Sequence, residues 1–269
     1  MTDGPQLVGV GVGPGDPGLV TVTAVEALRG ADVVIVPVSA VSAVSVQPHG
    51  DVGAEAAGRA EQVVRAHLGQ GRVLRVPFVM TGRSGVTHQR SQAWENAAQV
   101  VLDTFEAGAT TVAFATLGDP NVYSTFTYLA ATVRDRSPQV RVRTIPGITA
   151  MQDLAARAGI VLCEGRETLT LVPGTAGVDV LEASLRHDGT VAVYKGGDGA
   201  GELLEVLRRN GRLDEAVVGT RLGMDGERVG PAVTWAPARA VTGEEDAVRM
   251  PYLSTVLAPA RRERHGGKL

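Results

Sequence analysis

Three short segments place glycine, proline and a small polar or acidic residue at the end of an apolar run. They are Gly9-Val10-Gly11-Val12-Gly13-Pro14-Gly15-Asp16-Pro17, Leu117-Gly118-Asp119-Pro120 and Pro146-Gly147-Ile148-Thr149-Ala150. Glycine there lets a backbone come close to a ligand, and in an open parallel sheet ligands gather at the carboxyl ends of strands. Such loops bind and align a small molecule and do not themselves attack it. No Ser-His-Asp or Cys-His arrangement is apparent, and His49, His67, His88, His187 and His265 lack metal-ligand spacing, so no protein-bound metal is expected. Each segment also has an ordinary reading. Asp119-Pro120 suits a helix N-cap followed by the first helical position, and Thr149 with Gln152 suits a capping box.

The first loop is not a dinucleotide fingerprint. Pro14 stands where the third glycine is required, and the second apolar run, Val33 to Val36, passes into Pro37-Val38-Ser39 with no acid for ribose hydroxyls. A nicotinamide-linked dehydrogenase is therefore disfavoured. Cations that could grip carboxylates stand in expected loops or helix starts: Arg83, Arg90, Arg221 and Arg228, with His88 as a possible relay. Each competes with plain surface charge. Two of the 26 basic residues are lysines, and Lys195 is the one inside the chain, directly after the apolar run Val191-Ala192-Val193-Tyr194.

The elements that must position these residues alternate. Apolar runs at 7–12, 31–36, 72–76, 111–116 and 140–145 read as strands, the valine-rich ones buried on both faces. Between them lie helical stretches: one from a capping box at Thr23 and Glu26 to Gly30, one over 55–68, one with Trp94, Ala97, Val101 and Phe105 on one face, and one striped by Val122, Phe126, Leu129 and Val133. The segments 37–53 and 81–87 read as loops. This order implies a largely parallel sheet with helices on its faces. After Gly159 the texture changes, with strands expected at 168–172, 190–194, 217–220 and 252–258 and helices around 178–186 and 201–210. The expected organisation is therefore α/β with domains over 1–160 and 161–260 and a disordered tail over 261–269.

The composition of the 269 residues agrees with a globular enzyme: 44% hydrophobic, 20% charged, net charge −3. The near-neutral balance argues against nucleic acid as partner. The one cysteine, Cys163, excludes a disulfide framework and reads as a small buried hydrophobe. No signal peptide is visible, and the most apolar stretch, 31–46, is interrupted by Pro37 and serines and is too short to span a bilayer. A cytoplasmic, reducing location is expected.

Taken in order, the three glycine segments resemble the tetrapyrrole methyltransferase superfamily over about residues 6 to 260. Leu117-Gly118-Asp119-Pro120-Asn121-Val122-Tyr123-Ser124-Thr125-Phe126, Phe78-Val79-Met80-Thr81 and Gly223-Met224-Asp225-Gly226-Glu227-Arg228 are similar to the branch that methylates C20 of precorrin-2 or its cobalt complex. The resemblance implies two α/β domains with a cofactor cleft between them, S-adenosylmethionine as cofactor, a tetrapyrrole partner, a place in cobalamin biosynthesis and a homodimer. It implies cofactor contacts at Pro14, Leu117, Gly118, Asp119, Val122, Thr149 and Ala150, and at Tyr194 and Lys195 in the second domain. Arg83, His88, Arg90, Tyr123, Ser124, Thr125, Arg221 and Arg228 are the candidates for substrate. A sulfonium would repel Lys195, so its ammonium is expected to point towards a substrate carboxylate or an acid, with a solvated loop lysine as the alternative. A sister enzyme acting at another corrin carbon, or a tetrapyrrole carrier without catalysis, remains open at this stage.

Overall fold

The computed structural model describes residues 4–39, 58–69, 71–78, 85–197, 199–235 and 250–262. They form two compact units, 1–149 and 150–269. The first holds strands β1 (Gln6–Gly11), β2 (Val33–Ser39), β3 (Val73–Phe78), β4 (Thr111–Thr116) and β5 (Arg141–Ile145), with helices α1 (Val22–Gly30), α2 (Arg59–Leu68), α3 (His88–Glu106) and α4 (Phe126–Arg136). The strands lie in the order β3-β2-β4-β1-β5, and every pairing is parallel. All carboxyl ends, and hence the glycine segments after β1, β4 and β5, share one edge. The valine-rich strands serve two cores. On one face Leu7, Ile35, Val112 and Phe114 pack with Ala97, Val101, Leu129 and Val133 of α3 and α4. On the other, Val8, Val10, Val34 and Ala113 pack with Ala24, Leu28, Val63 and Val64 of α1 and α2.

Several local expectations shift. Helix α1 is capped by Thr21, which accepts from Ala24 N–H at 3.2 Å, so Thr23 is inside the helix. Burial of Ala24 and Leu28 sets that register. Strand β2 continues through Pro37 to Ser39, where a loop was expected. β4 pairs with it only to Ile35, so the missing Pro37 N–H breaks no ladder on that side. Helix α4 begins at Phe126, not near Val122, because Tyr123 has φ 48° and Ser124 accepts from Phe126 N–H at 3.1 Å. The acid Glu61 is buried in α2 and held by Arg75 at 2.7 Å.

The second unit holds α5 (Ala150–Ala158), β6 (Leu169–Pro173), α6 (Val178–Leu185), β7 (Thr190–Tyr194), α7 (Ala200–Arg209), β8 (Val217–Thr220), β9 (Arg228–Pro231) and β10 (Thr255–Ala258). Its sheet, β6-β7-β10-β8-β9, is mixed: β6 and β7 are parallel, while β10 runs antiparallel to both β7 and β8. Helices α6 and α7 cover one face through Leu181, Leu185, Leu203 and Leu207. Helix α5 covers the other, with Leu154 and Ala155 against Ala192 and Leu257. This packing puts α5 in the second unit and moves the division to 149/150 from the expected 160/161. Cys163 is exposed, because it lies in the connector between α5 and β6 and not in a packed element. Arg261 and Arg262, expected to open a disordered tail, are fixed: Arg261 N–H donates to Asp188 O at 3.0 Å and Arg262 pairs with Glu167.

One buried cation organises this unit. Arg212 is fully buried with no ion pair among the described residues, and its guanidinium donates to the carbonyls of Leu185, His187, Gly189, Ala258 and Pro259 at 2.6–3.4 Å. Those carbonyls belong to the turns at the ends of α6 and β10, so one side chain ties three chain segments together.

Candidate functional site

The three glycine segments interlock at the carboxyl edge of the first sheet. Gly118 N–H donates to Gly13 O at 2.7 Å, joining the loops after β4 and β1 in an isolated antiparallel bridge. Asp119 joins the loops after β4 and β5. Its Oδ2 accepts from Gly147 N–H at 3.0 Å and its Oδ1 from Asn121 N–H at 2.8 Å. Asp119 is therefore not the N-cap of a helix, which starts seven residues later at Phe126. Its carboxylate is a clasp between loops.

Close packing of backbones makes the glycines obligatory. A Cβ on Gly11 would lie 2.6 Å from both Gly118 O and Gly147 N, and one on Gly147 would lie 2.1 Å from Gly118 O. Gly118 differs: its φ is +68°, and a Cβ there would meet only Thr149 Cα, at 4.0 Å. The open side of the clasp is thus at Gly118, bordered by Thr149. This is a backbone-lined cradle that a side chain at 118 would begin to fill. It suits a flat or slender ligand held by N–H and C=O groups.

The expected cofactor residues of the first unit lie in these three loops. Pro14 is buried in the loop after β1; Leu117 is half-buried against the α1 and α2 core; Val122 donates its N–H to Asp119 O at 3.2 Å; Thr149 is buried, and Ala150 directly follows it as the first residue of α5. The first loop is braced from α2, where His67 Nε2 lies 3.0 Å from Pro17 O, and from within, where Asp16 Oδ1 accepts from Gly18 N–H at 2.8 Å.

The substrate candidates are more scattered. Tyr123 follows the clasp, exposed and in a left-handed backbone conformation. Partial burial pushes its phenol above the usual value, so it stays a protonated donor at neutral pH. Ser124 is buried, and its hydroxyl donates to Thr116 Oγ1 at 3.0 Å while accepting from Phe126 N–H. Both capacities serve the start of α4, so Ser124 holds structure and does not present itself to a ligand. Thr125 is half-buried beside it. His88 is exposed at the first residue of α3, on the segment that follows β3 at the far edge of the sheet. Arg90 donates to Gly85 O at 2.6 Å, which closes the turn before α3. Arg83 lies outside the described residues.

In the second unit, Tyr194 ends β7 and its hydroxyl accepts from Met151 N–H at 3.0 Å, while Lys195 follows with φ 59°. Arg221 follows β8 with φ 52°, and Arg228 opens β9 with its guanidinium carbon 4.1 Å from the Trp235 ring centroid. Among the described residues no group of three His, Cys, Asp or Glu side chains could hold a metal ion. Sequence reasoning passed over Gly11 and Gly147 as fixed points of the site. The signal was their place in the motifs, but the contact between them is made only by folding.

The chain matches the family described as Tetrapyrrole (Corrin/Porphyrin) Methylases over residues 6–234. It is 32% identical over 265 residues to a precorrin-2 C(20)-methyltransferase of Sinorhizobium sp., covering 96% of this chain and 97% of that one. It is 27% identical to the cobalt-precorrin-2 C(20)-methyltransferase of Salmonella typhimurium, covering 94% and 95% of the two chains. The fold is shared with the uroporphyrin-III C-methyltransferase of Thermus thermophilus solved with S-adenosylhomocysteine, at a TM-score of 0.60 and 20% identity over 94% of this chain and 97% of that one.

Proposed function

The chain belongs to the tetrapyrrole (corrin/porphyrin) methylase family, and from that premise we propose that it transfers a methyl group from S-adenosylmethionine to C20 of precorrin-2, or of its cobalt complex, in cobalamin biosynthesis. Two relatives named for that reaction match nearly the whole chain, which supports C20 over another corrin carbon. The structural observation that carries the reading is the interlock of the loops after β1, β4 and β5, rigid at Gly11 and Gly147 and open at Gly118.

When bound, S-adenosylmethionine supplies a methyl group already activated on a sulfonium. The protein's task is then alignment and exclusion of water, and such alignment is worth on the order of 7–11 kcal/mol in favourable cases. The residues present fit that task. Gly118 leaves its side of the cradle unobstructed and Thr149 borders it, with Ala150 next in the chain; Pro14, Leu117 and Val122 stand in the same loops and are kept as candidate cofactor contacts. Asp119 acts by holding the β4 and β5 loops in register, with both oxygens already accepting backbone N–H groups. The displacement needs no side-chain nucleophile, because C20 lies in an electron-rich enamine-like system, and the proton that the methyl group replaces on C20 leaves to water. To Tyr123, a neutral phenol on the segment after the clasp, we assign a hydrogen bond donated to the tetrapyrrole and not removal of its proton.

For Tyr194 and Lys195 we keep the cofactor contact implied by the family motif. Arg90, Arg221, Arg228 and His88 remain candidates for the substrate's carboxylates. We place the protein in the cytoplasm as a homodimer. An exposed, unpaired Cys163 suits a reducing compartment, and no described helix is long and apolar enough to cross a membrane.

Anaerobic incubation with S-adenosylmethionine and either metal-free or cobalt precorrin-2 tests the reading. Formation of S-adenosylhomocysteine together with a singly methylated tetrapyrrole is expected. A protein that binds the tetrapyrrole but forms no S-adenosylhomocysteine with either substrate would be a carrier, and the reading would fall.

A further inference from the structure

Among the described residues, Tyr123, Lys195 and Arg221 are those other than glycine with positive φ, at 48°, 59° and 52°. Two of these are cations, and they directly follow β7 and β8. Those strands run parallel on either side of β10, so their ends lie two strand spacings apart, roughly 10 Å. The left-handed conformation crowds Cβ of an L-residue against its carbonyl. Glycine meets that need within the same turn, at Gly223 and Gly226. An arginine at 221 therefore calls for a reason in its side chain.

The turn is closed from within. Arg221 O accepts from Met224 N–H and Met224 O from Glu227 N–H, both at 3.0 Å. Glu227 completes it, with Oε2 accepting from Gly223 N–H at 2.6 Å and Oε1 from Arg157 Nη1 at 2.9 Å. Arg157 is in turn fixed on α5 by Asp153 at 2.8 Å. Glu227 is thus committed to Arg157, and among the described residues no carboxylate lies within ion-pair distance of the Arg221 guanidinium. The guanidinium rests over Gly226, where a Cβ would come within 3.0 Å of Nη1.

We propose that the turn 221–227 is a built carboxylate anchor, in which Arg221 grips a side-chain carboxylate of the tetrapyrrole and Glu227 is the positioning residue that holds the turn in shape. This rests on the tetrapyrrole reading above. A guanidinium already oriented, weakly hydrated and not neutralised by an internal acid binds a carboxylate in two-pronged fashion at little ordering cost. Glu227 has one oxygen on Gly223 N–H and the other on Arg157, so both are engaged within the turn and on α5 and not by Arg221.

The test uses the full chain and uroporphyrin III, a stable polycarboxylated tetrapyrrole, titrated by fluorescence. Arg221→Gly suits the left-handed backbone and should keep or raise the Tm. It is expected to raise the uroporphyrin Kd about tenfold, as for one lost charge-assisted contact, and to leave S-adenosylhomocysteine affinity unchanged. Glu227→Gln is expected to raise the uroporphyrin Kd about threefold in the parent and to have no effect in the Arg221→Gly background, a coupling that a merely structural role would not show. Parental uroporphyrin affinity in Arg221→Gly overturns the anchor, and additive effects of the two variants overturn the positioning role. A parent that binds uroporphyrin through Arg221 yet does not methylate precorrin-2 leaves the anchor standing and removes the proposed reaction. A parent that methylates precorrin-2 but does not bind uroporphyrin removes the anchor alone.

Discussion

Replacing Asp119 with asparagine exchanges one carboxylate oxygen for an NH2 group at the point where two loops are fastened. The remaining oxygen can serve only one of the two N–H donors now satisfied at 2.8 and 3.0 Å. The bond to Asn121 is local and survives by chain geometry; the one to Gly147 crosses between loops and is lost. A hydrogen bond to a charged acceptor contributes about 1.5–3 kcal/mol. Because Asp119 is half-buried, the loss here is discounted to roughly 1–2 kcal/mol. If the cradle beside Gly118 holds the cofactor, most of that loss appears in binding, since the Thr149 side is no longer held in register. Calorimetry should then show S-adenosylhomocysteine Kd raised roughly 5- to 30-fold, with a urea-unfolding loss of no more than about 2 kcal/mol. Parental Kd with full loss of stability would mean that the clasp is structural and that the cofactor lies elsewhere. Parental values for both would refute the hydrogen-bond argument itself.

The clasp also predicts an order for two glycines. Gly118→Ala meets no atom closer than 4.0 Å and carries a backbone penalty of about 1–2 kcal/mol, whereas Gly147→Ala drives a methyl group to 2.1 Å from Gly118 O and should cost roughly 3 kcal/mol or more. Urea midpoints in the reverse order would contradict the packing. Arg212→Leu leaves five carbonyls without their donor and should destabilise by roughly 3–5 kcal/mol; a loss below about 1 kcal/mol by urea unfolding would show that water replaces it easily. Asp32 is held below the usual carboxylate range by the N–H groups of Thr111 and Thr110 and by the Thr110 hydroxyl. Its contribution is therefore present above the unfolded pKa of about 3.9 and is lost as pH falls through the lower folded value. Asp32→Asn should lower Tm slightly at pH 7, by on the order of a degree or two for so exposed a group, and should flatten the acid limb of the Tm–pH profile; an unchanged acid limb would refute the assignment.

The parts of the structure legible in the sequence were those written in local patterns. Apolar runs bounded by glycine or polar turns marked the strands of the first sheet to within a few residues, because strands buried on both faces need continuous apolar chain. The glycine segments marked the interlocked loops of the candidate site for the same reason: each is contiguous. What stayed hidden was set by contacts between distant residues. Thr21 and Thr23 are equally good caps by type, and only the burial of Ala24 and Leu28 decides between them. Asp119 followed by proline has the local form of an N-cap, while its partner is Gly147, 28 residues away. Strand β9, Arg-Val-Gly-Pro, lies at a sheet edge, is largely exposed and carries no alternation to read. Arg212 sits in a polar turn by sequence and is buried only because turns from two distant segments converge on it. Position 160 reads as a boundary because texture changes after Gly159, yet α5 has its apolar face on the second sheet.

The proposed reaction is methyl transfer to one carbon of one tetrapyrrole. Incubating the protein anaerobically with precorrin-2 and S-adenosylmethionine carrying a carbon-13 methyl group, then recording the carbon spectrum of the product, tests it most directly. A single enriched methyl resonance is expected, its protons correlating through long-range coupling to C20 of the macrocycle. An enriched methyl at any other carbon would contradict it.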